Sequence, residues 1–344
     1  MERTKRIDII NKFSPIIYFH KLENYFPVSS EFLLKNSIIY DNITDEIILE
    51  SPTNLDIYEM CFNKKTKNKE IKEKKGINLK ISEYIFTGEN PISNVPIYAF
   101  YKEKGEYIYI SYTALFAYNG DYKILKVFDV GAHETDLEHL TVELKKSDLS
   151  LNRVMFSSHT TKNGVWVDAN NVEMEKGKIV AYSALHGHGF YKAEGLAFRL
   201  YGLANDHLQK GLRWEPKTFE IFEKTDPEFD SDTMSWIYFC GEFGETESLY
   251  KKNWFGKNHE EILENKYLSY PYIFNQNNEK IINVLYILGL IVLIDYAFKV
   301  TYTFFDTFNI NSTLKYFLQI LFLLILYFAF VITLKMIIKR FDID

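Results

Sequence analysis

The feature that most constrains this chain is its run of short, aromatic-rich segments. Residues 95–101, 106–112, 123–128, 137–144, 153–158 and 178–184 are rich in Tyr, Phe, Ile and Val, and each is bounded by Gly, Asn, Asp or Lys. Such runs between turn-forming residues read as strands. Many of them at regular spacing predict an all-β head, a β-sandwich or jelly roll. The 25 Tyr and 28 Phe supply the bulky side chains that such a core needs. Helical periodicity is weak before residue 245, and residues 246–280 read as short helices and linker.

Charge is unevenly placed along the chain. The 344 residues carry 40 Lys and Arg against 46 Asp and Glu, a net charge of −6. A net negative chain without a basic stripe excludes a dedicated nucleic-acid binder, whose affinity needs clustered cations on phosphate. Residues 281–344 hold five cations and four anions, which leaves −7 on residues 1–280. This tail contains two apolar runs, 281–298 and 316–334. As helices they would cover about 27–29 Å, close to a bilayer's hydrocarbon thickness. They are therefore expected to form a transmembrane α-helical hairpin within 281–338. Asp295 in the first run has Lys299 four residues on as a partner.

Lys335, Lys339 and Arg340 follow the second run, and an even number of spans returns the chain to the same side. The expectation is thus a two-span integral membrane protein with head and C-terminus in the cytosol and the lipid bilayer as a partner. The domain reading is an N-terminal segment at 1–12 without a visible signal peptide, a β domain at 13–245, the linker, the hairpin and a tail at 339–344. Two cysteines, Cys61 and Cys240, are too few for a disulfide scaffold and fit a reducing compartment. Cys240 reads as buried. The lysine-rich stretch at 63–76 reads as a solvated loop.

Three segments can carry chemistry. In GAHETDLEH (131–139), strand parity places Leu140, Val142 and Leu144 on the core face, and Asp136 and Glu138 share that parity. Buried carboxylates need a cation or hydrogen-bond donors. With His133 in the preceding turn, the set suits a hard divalent ion, Ca²⁺ or Mg²⁺, better than a structural zinc. His186 and His188 follow the apolar strand KIVAYSAL, and His159 ends the strand in MFSSH. These three form a second candidate binding set, able to ligate metal or exchange protons. The alternative for each is a hydrogen-bonded structural histidine or an ordinary surface turn. No nucleophile elbow, zinc-protease motif, phosphate-binding glycine loop or paired CxxC is present. No catalytic residue is therefore assigned, and a non-enzymatic protein is favoured.

The order of segments resembles one family. FSPIIYFHKLENYFPVSSEF (13–32) is similar to the opening of the vacuolar protein sorting-associated sixty-two family. GAHETDLEH resembles its "G-x-H-x-G-D-W-E-H" block. MFSSHTTKNGVWVDANNVE, with His159, Trp166 and Asp168, resembles the next, and KIVAYSALHGHGFYKAEG the one after, followed by Asn205, Asp206 and Trp214. The blocks occur in order over about residues 13–245, leaving the C-terminal runs outside. Thr135 stands where the family usually has Gly, Leu137 where it has Trp, and Gly189 where it often has Ala. The family name implies delivery to the vacuole and establishes no chemistry. The spacing of His133, Asp136 and Glu138 is also similar to the metal-binding heptad of necrosis-inducing cytolysins, β-sandwich proteins that bind a divalent cation and membrane glycolipids.

The expected function is a membrane-anchored binding module in trafficking or in lipid, glycan or protein recognition. Two alternatives are a divalent-metal-dependent hydrolase and a structural membrane protein of viral type.

Overall fold

A computed structural model describes residues 1–62, 76–124, 128–158, 165–197, 205–244, 273–274, 288–289, 291–292, 294–297, 299–303 and 312–340. The chain divides into two units, Met1–Ala193 with Leu208–Tyr270, and Glu194–His207 with Pro271–Asp344.

The first unit is built on a six-stranded sheet. Its order is β11 (Val165–Asp168), β10 (Leu151–Phe156), β9 (His133–Lys145), β6 (Tyr107–Asn119), β5 (Pro96–Lys104) and β18 (Lys217–Ile221). All neighbours are antiparallel except β18, which runs parallel to β5. The two longest strands, β6 and β9, align from Tyr107 opposite Lys145 to Asn119 opposite His133. Aromatic and β-branched residues fill β6, a composition suited to a pleated, packed surface.

Both faces of this sheet are covered, so burial along β6 and β9 is nearly continuous rather than alternating. On one face, Ile108, Ile110, Tyr112, Phe116, Leu140 and Val142 pack with Ile17, Ala181 and Trp214. The latter belong to a second sheet ordered β12 (Met174–Glu175), β13 (Lys178–Ser183), β1 (Ile16–Tyr18) and β17 (Arg213–Trp214), with β14 (Phe190–Tyr191) also on β13. Helix α1 (Arg3–Phe13) adds Ile9, Ile10 and Phe13 to the same core.

On the other face, Leu115, Ala117 and Leu137 pack with Ile39 and Leu79. These come from a sheet ordered β19 (Glu242–Phe243), β4 (Ile77–Ile81), β2 (Ser37–Asp41) and β3 (Glu46–Glu50). Helices α2 (Ser30–Lys35) and α3 (Asn54–Phe62) complete this layer. A hairpin of β7 (Tyr122–Ile124) and β8 (Phe128–Val130) divides what the sequence suggests is one strand at 123–128. The β-rich head is therefore as expected, with mixed sheets. Of residues 246–280, expected as short helices and linker, Ile273–Phe274 form a strand and the rest lie outside the described residues.

In the second unit, β15 (Gly195–Ala197) pairs antiparallel with β20 (Ile273–Phe274), and β16 (Asp206–Leu208) completes a three-stranded sheet. A helix covers Ser312–Arg340.

Two sequence expectations are corrected. Among the described residues no helix is long and apolar enough to cross a membrane. This overturns the two-span integral membrane protein and its cytosolic placement, and removes the support for a bilayer partner. A span needs about 20 consecutive apolar residues. In the first run Asp295 and Lys299 form an exposed ion pair at 2.7 Å. In the helix Ser312–Arg340 the polar Gln319 stands within the apolar run.

The second correction concerns the cysteines. Cys61 and Cys240 are buried, as expected for Cys240, but they are joined in a disulfide, with Cα atoms 5.5 Å apart across 179 positions. Disulfides persist in oxidising compartments, so the argument for a reducing one falls away.

Candidate functional site

The site starts from the parity of β9. Asp136 and Glu138 lie on the same face as Leu140, Val142 and Leu144, and both carboxylates are buried. Each is met by a donor. Glu138 accepts from Ser157 Oγ at 2.6 Å. Asp136 accepts from its neighbour Leu137 N at 2.9 Å and from His188 Nδ1 at 2.9 Å.

His188 is the centre of the arrangement. It is fully buried, and its ring lies flat on Phe116, with centroids 3.8 Å apart and planes within 3°. Its Nε2 faces Glu23 Oε1 at 3.8 Å, a charge contact too long for a hydrogen bond. Burial alone would lower the imidazole's pKa, but the hydrogen bond to Asp136 and the nearby charges of Asp136 and Glu23 outweigh it and push it up to about 9. At neutral pH the core thus holds one imidazolium between two carboxylates. Glu23 feels burial in the opposite sense, which would raise it. His188 together with the backbone N–H groups of His186 and Tyr25 holds it below the usual carboxylate range.

Glu23 also ties two loops together. Its Oε1 accepts from Asn24 N and Tyr25 N, and its Oε2 accepts from His186 N at 2.7 Å. The 184–189 turn closes on itself through His188 N to Ala184 O and Ala184 N to Gly189 O. His186 and His188 take φ of 62° and 55°, the left-handed region that favours glycine. Thr135 does so as well, at 57°, where the resembling family has Gly. Gly120 is required by close approach, since a Cβ there would lie 2.3 Å from the Tyr25 ring.

Outside this core the rings form a row. Phe86 stacks on Tyr118 at 4.2 Å, Tyr118 meets Tyr25 at 5.1 Å, and Tyr25 meets His186 at 5.4 Å. All four are half-buried. His186 donates from Nδ1 to Asp121 O at 2.9 Å, which fixes its ring at the end of the row.

Of the sequence-predicted residues, the structure joins Asp136 to His188 and places His186 one turn away. It directs His133 elsewhere, with Nδ1 donating to Thr135 O at 3.0 Å. His159 lies outside the described residues. Among the described residues no group of three or more His, Cys, Asp or Glu side chains is placed to hold a metal ion. Sequence reasoning missed Glu23, although the ENY triplet was visible in the opening block. It also missed Phe116 and the ring row, which single aromatic positions do not reveal. His139, two residues before the parity-matched Thr141, is buried and pushed down to about 4 by that burial, so it stays neutral.

Comparison with solved structures finds NLPPya in complex with glucosamine at a TM-score of 0.40 and 10% identity, over 76% of this chain and 90% of that one. The non-toxic HaNLP3 protein is similar at 0.40 and 10%, over 79% and 94%. Necrosis and Ethylene inducing Protein 2, from the causal agent of cocoa's Witches Broom disease, follows at 0.36 and 9%, over 76% and 91%. Comparison with curated proteins finds no match. Residues 1–229 match the family described as vacuolar protein sorting-associated protein 62, and with two-thirds of its length inside that match the chain belongs to this family.

Proposed function

We propose that the protein is a non-enzymatic recognition module that binds a glycan on the row Phe86, Tyr118, Tyr25 and His186. The observation that carries this reading is the row itself: four half-buried rings in sequence at one site. A sugar lays its C–H face on such rings while its hydroxyls reach neighbouring polar groups. Rings held in place lose little freedom on binding, so less affinity is spent on ordering them. Glu23 supplies that rigidity, because its carboxylate accepts from Tyr25 N and His186 N and is anchored beneath by His188.

The hydrolase reading is weaker. Asp136 and Glu138 are engaged by His188 and Ser157, and His133 bonds a backbone carbonyl instead of joining them. A Ca²⁺ or Mg²⁺ ion on His133, Asp136 and Glu138 would have to break these contacts.

The test is calorimetric titration of the purified full chain with defined oligosaccharides and amino sugars, glucosamine among them. At least one should bind saturably, and Tyr118→Ala and Tyr25→Ala should each weaken it about tenfold without moving the melting temperature of Tyr118→Ala by more than a few degrees. A chain that binds no glycan, or whose binding ignores both substitutions, would overturn the reading.

A further inference from the structure

The turn that joins β2 to β3 carries Asn42, Ile43 and Thr44 at its tip. An Asn followed two positions later by Thr, with no Pro between, is the acceptor triplet for an N-linked glycan, a bulky group that only a surface can carry. Such triplets arise by chance, so the spacing alone would carry nothing. Three observations of the structure make this one usable.

The first is the geometry of the tip. Asn42, Ile43 and Thr44 are all exposed. The turn is held through its backbone: Asp41 Oδ1 accepts from Ile43 N at 2.9 Å and from Thr44 N at 3.4 Å, and Asn42 N donates to Gly76 O at 2.8 Å. A Cβ on Gly76 would lie 2.2 Å from Asn42 Oδ1, so that oxygen rests against the glycine. In a planar amide Nδ2 diverges from Oδ1 and is directed away from that contact. Nδ2 is the atom that bonds a sugar.

The second is the Cys61–Cys240 disulfide, which joins positions 179 apart and includes no part of the turn. Disulfides form in oxidising compartments such as the endoplasmic reticulum lumen, which is also where N-linked glycans are attached. The third is the edge itself. Strand β3 ends its sheet, and Ile43 and Ile47 are 69% and 57% exposed there. An open strand edge with apolar side chains invites pairing with another chain, and proteins cover such edges. A hydrophilic group at this tip would cover it.

We propose that Asn42 is an N-glycosylation site. The co-reactant is a lipid-linked oligosaccharide, delivered by the compartment's own transferase. Asn42 Nδ2 bonds C1 of the first sugar as the bond from C1 to the lipid pyrophosphate oxygen breaks. The pyrophosphate leaves with that electron pair, and the amide nitrogen gives up one proton to a base of the transferase. Neither the ring row nor the His188 core takes part, so glycan binding there can fail or succeed independently.

The test is peptide mapping of the full chain isolated from the cells that make it. Digestion with peptide N-glycosidase in heavy-oxygen water converts a glycosylated Asn to a labelled Asp, and alkylation before reduction reports the cysteines in the same map. The expected result is label at Asn42 and Cys61 joined to Cys240. Thr44→Ala should abolish the label at Asn42 and Thr44→Ser should keep it. Both leave Asn42 in place, and the map reads the covalent bond whether or not a variant folds. The second triplet, Asn311-Ser312-Thr313, starts outside the described residues and serves as the comparison. An unlabelled Asn42, label at Asn311 alone, or label at Asn42 that survives Thr44→Ala would each overturn the assignment.

Discussion

Several places among the described residues hold one cation between two carboxylates, and two of them differ in almost everything else. In the core, His188 sits between Asp136 and Glu23 with no exposure. At the rim, Arg6 sits between Glu220 and Glu228, with Glu228 more than one-third exposed. The core cation can lose its proton within the range of ordinary buffers, whereas the rim guanidinium cannot. In the core the carboxylates also collect backbone N–H groups, while at the rim one carboxylate oxygen is left unmet. The same motif is thus a lock sealed in the core in one setting and a group that reaches the surface in the other. A charge removed from water has to be answered by the protein, and in both settings one buried atom, His188 Nε2 or Glu220 Oε2, has no hydrogen-bond partner among the described residues.

The largest effect should come from breaking the core group. Asp136→Ala leaves the His188 proton without its nearest partner, and removing one member of a buried pair costs about 3–5 kcal/mol. Denaturant unfolding measures it. A loss below about 1 kcal/mol would mean that the core group is no lock.

The next effect is on pH. The folded His188 value of about 9 lies above the unfolded value near 6.5. The extra stability is therefore fully present below about pH 6.5 and is lost as pH rises through about 9, worth about 3 kcal/mol in all. Glu23, held low, acts at the other end, and its contribution is lost as pH falls below the usual carboxylate range. Melting curves from pH 6 to 10 should decline for the native chain and flatten in His188→Gln. An equal decline in both would detach the pH effect from His188.

A smaller loss is expected at the rim. Arg6→Ala should cost about 1–2 kcal/mol, since burial already raises the Glu220 pKa and Glu228 can turn to water. A cost equal to that of Asp136→Ala would erase the distinction between the two groups.

The smallest change should be a gain. Thr135, Ser158, His186 and His188 all adopt positive φ at or near the core group, and no non-glycine residue among the described ones at the rim does so. A β-branched residue in that region is strained, by roughly 1–3 kcal/mol, part of which glycine returns as extra freedom in the unfolded chain. Thr135→Gly should raise stability by about 1 kcal/mol in the same denaturant assay, and a loss would show that the Thr135 side chain contributes more than its backbone costs.

Some of this was legible along the chain. Period-two alternation predicted that Asp136 and Glu138 turn inward with Leu140 and Val142, because a strand's geometry is local. The block order identified the family for the same reason, since it depends only on sequence. His133 and His188 are both histidines near glycines, and nothing local says which of them meets Asp136. That depends on the 184–189 turn and on the β14–β13 pairing that closes it. Glu23 reaches His186 across 163 positions, and Cys61 reaches Cys240 across 179. The apolar runs near the C-terminus carried a strong local signal for membrane spans, and among the described residues no helix is long and apolar enough to cross a membrane.

The sequence by itself determined the β-rich character of the head, the inward face of the strand that carries Asp136 and Glu138, and the family. Tertiary structure alone decided which charges meet and how deeply each pair is buried. Strand periodicity is a property of neighbouring residues, whereas the solvation of a charge depends on everything packed around it, however distant along the chain.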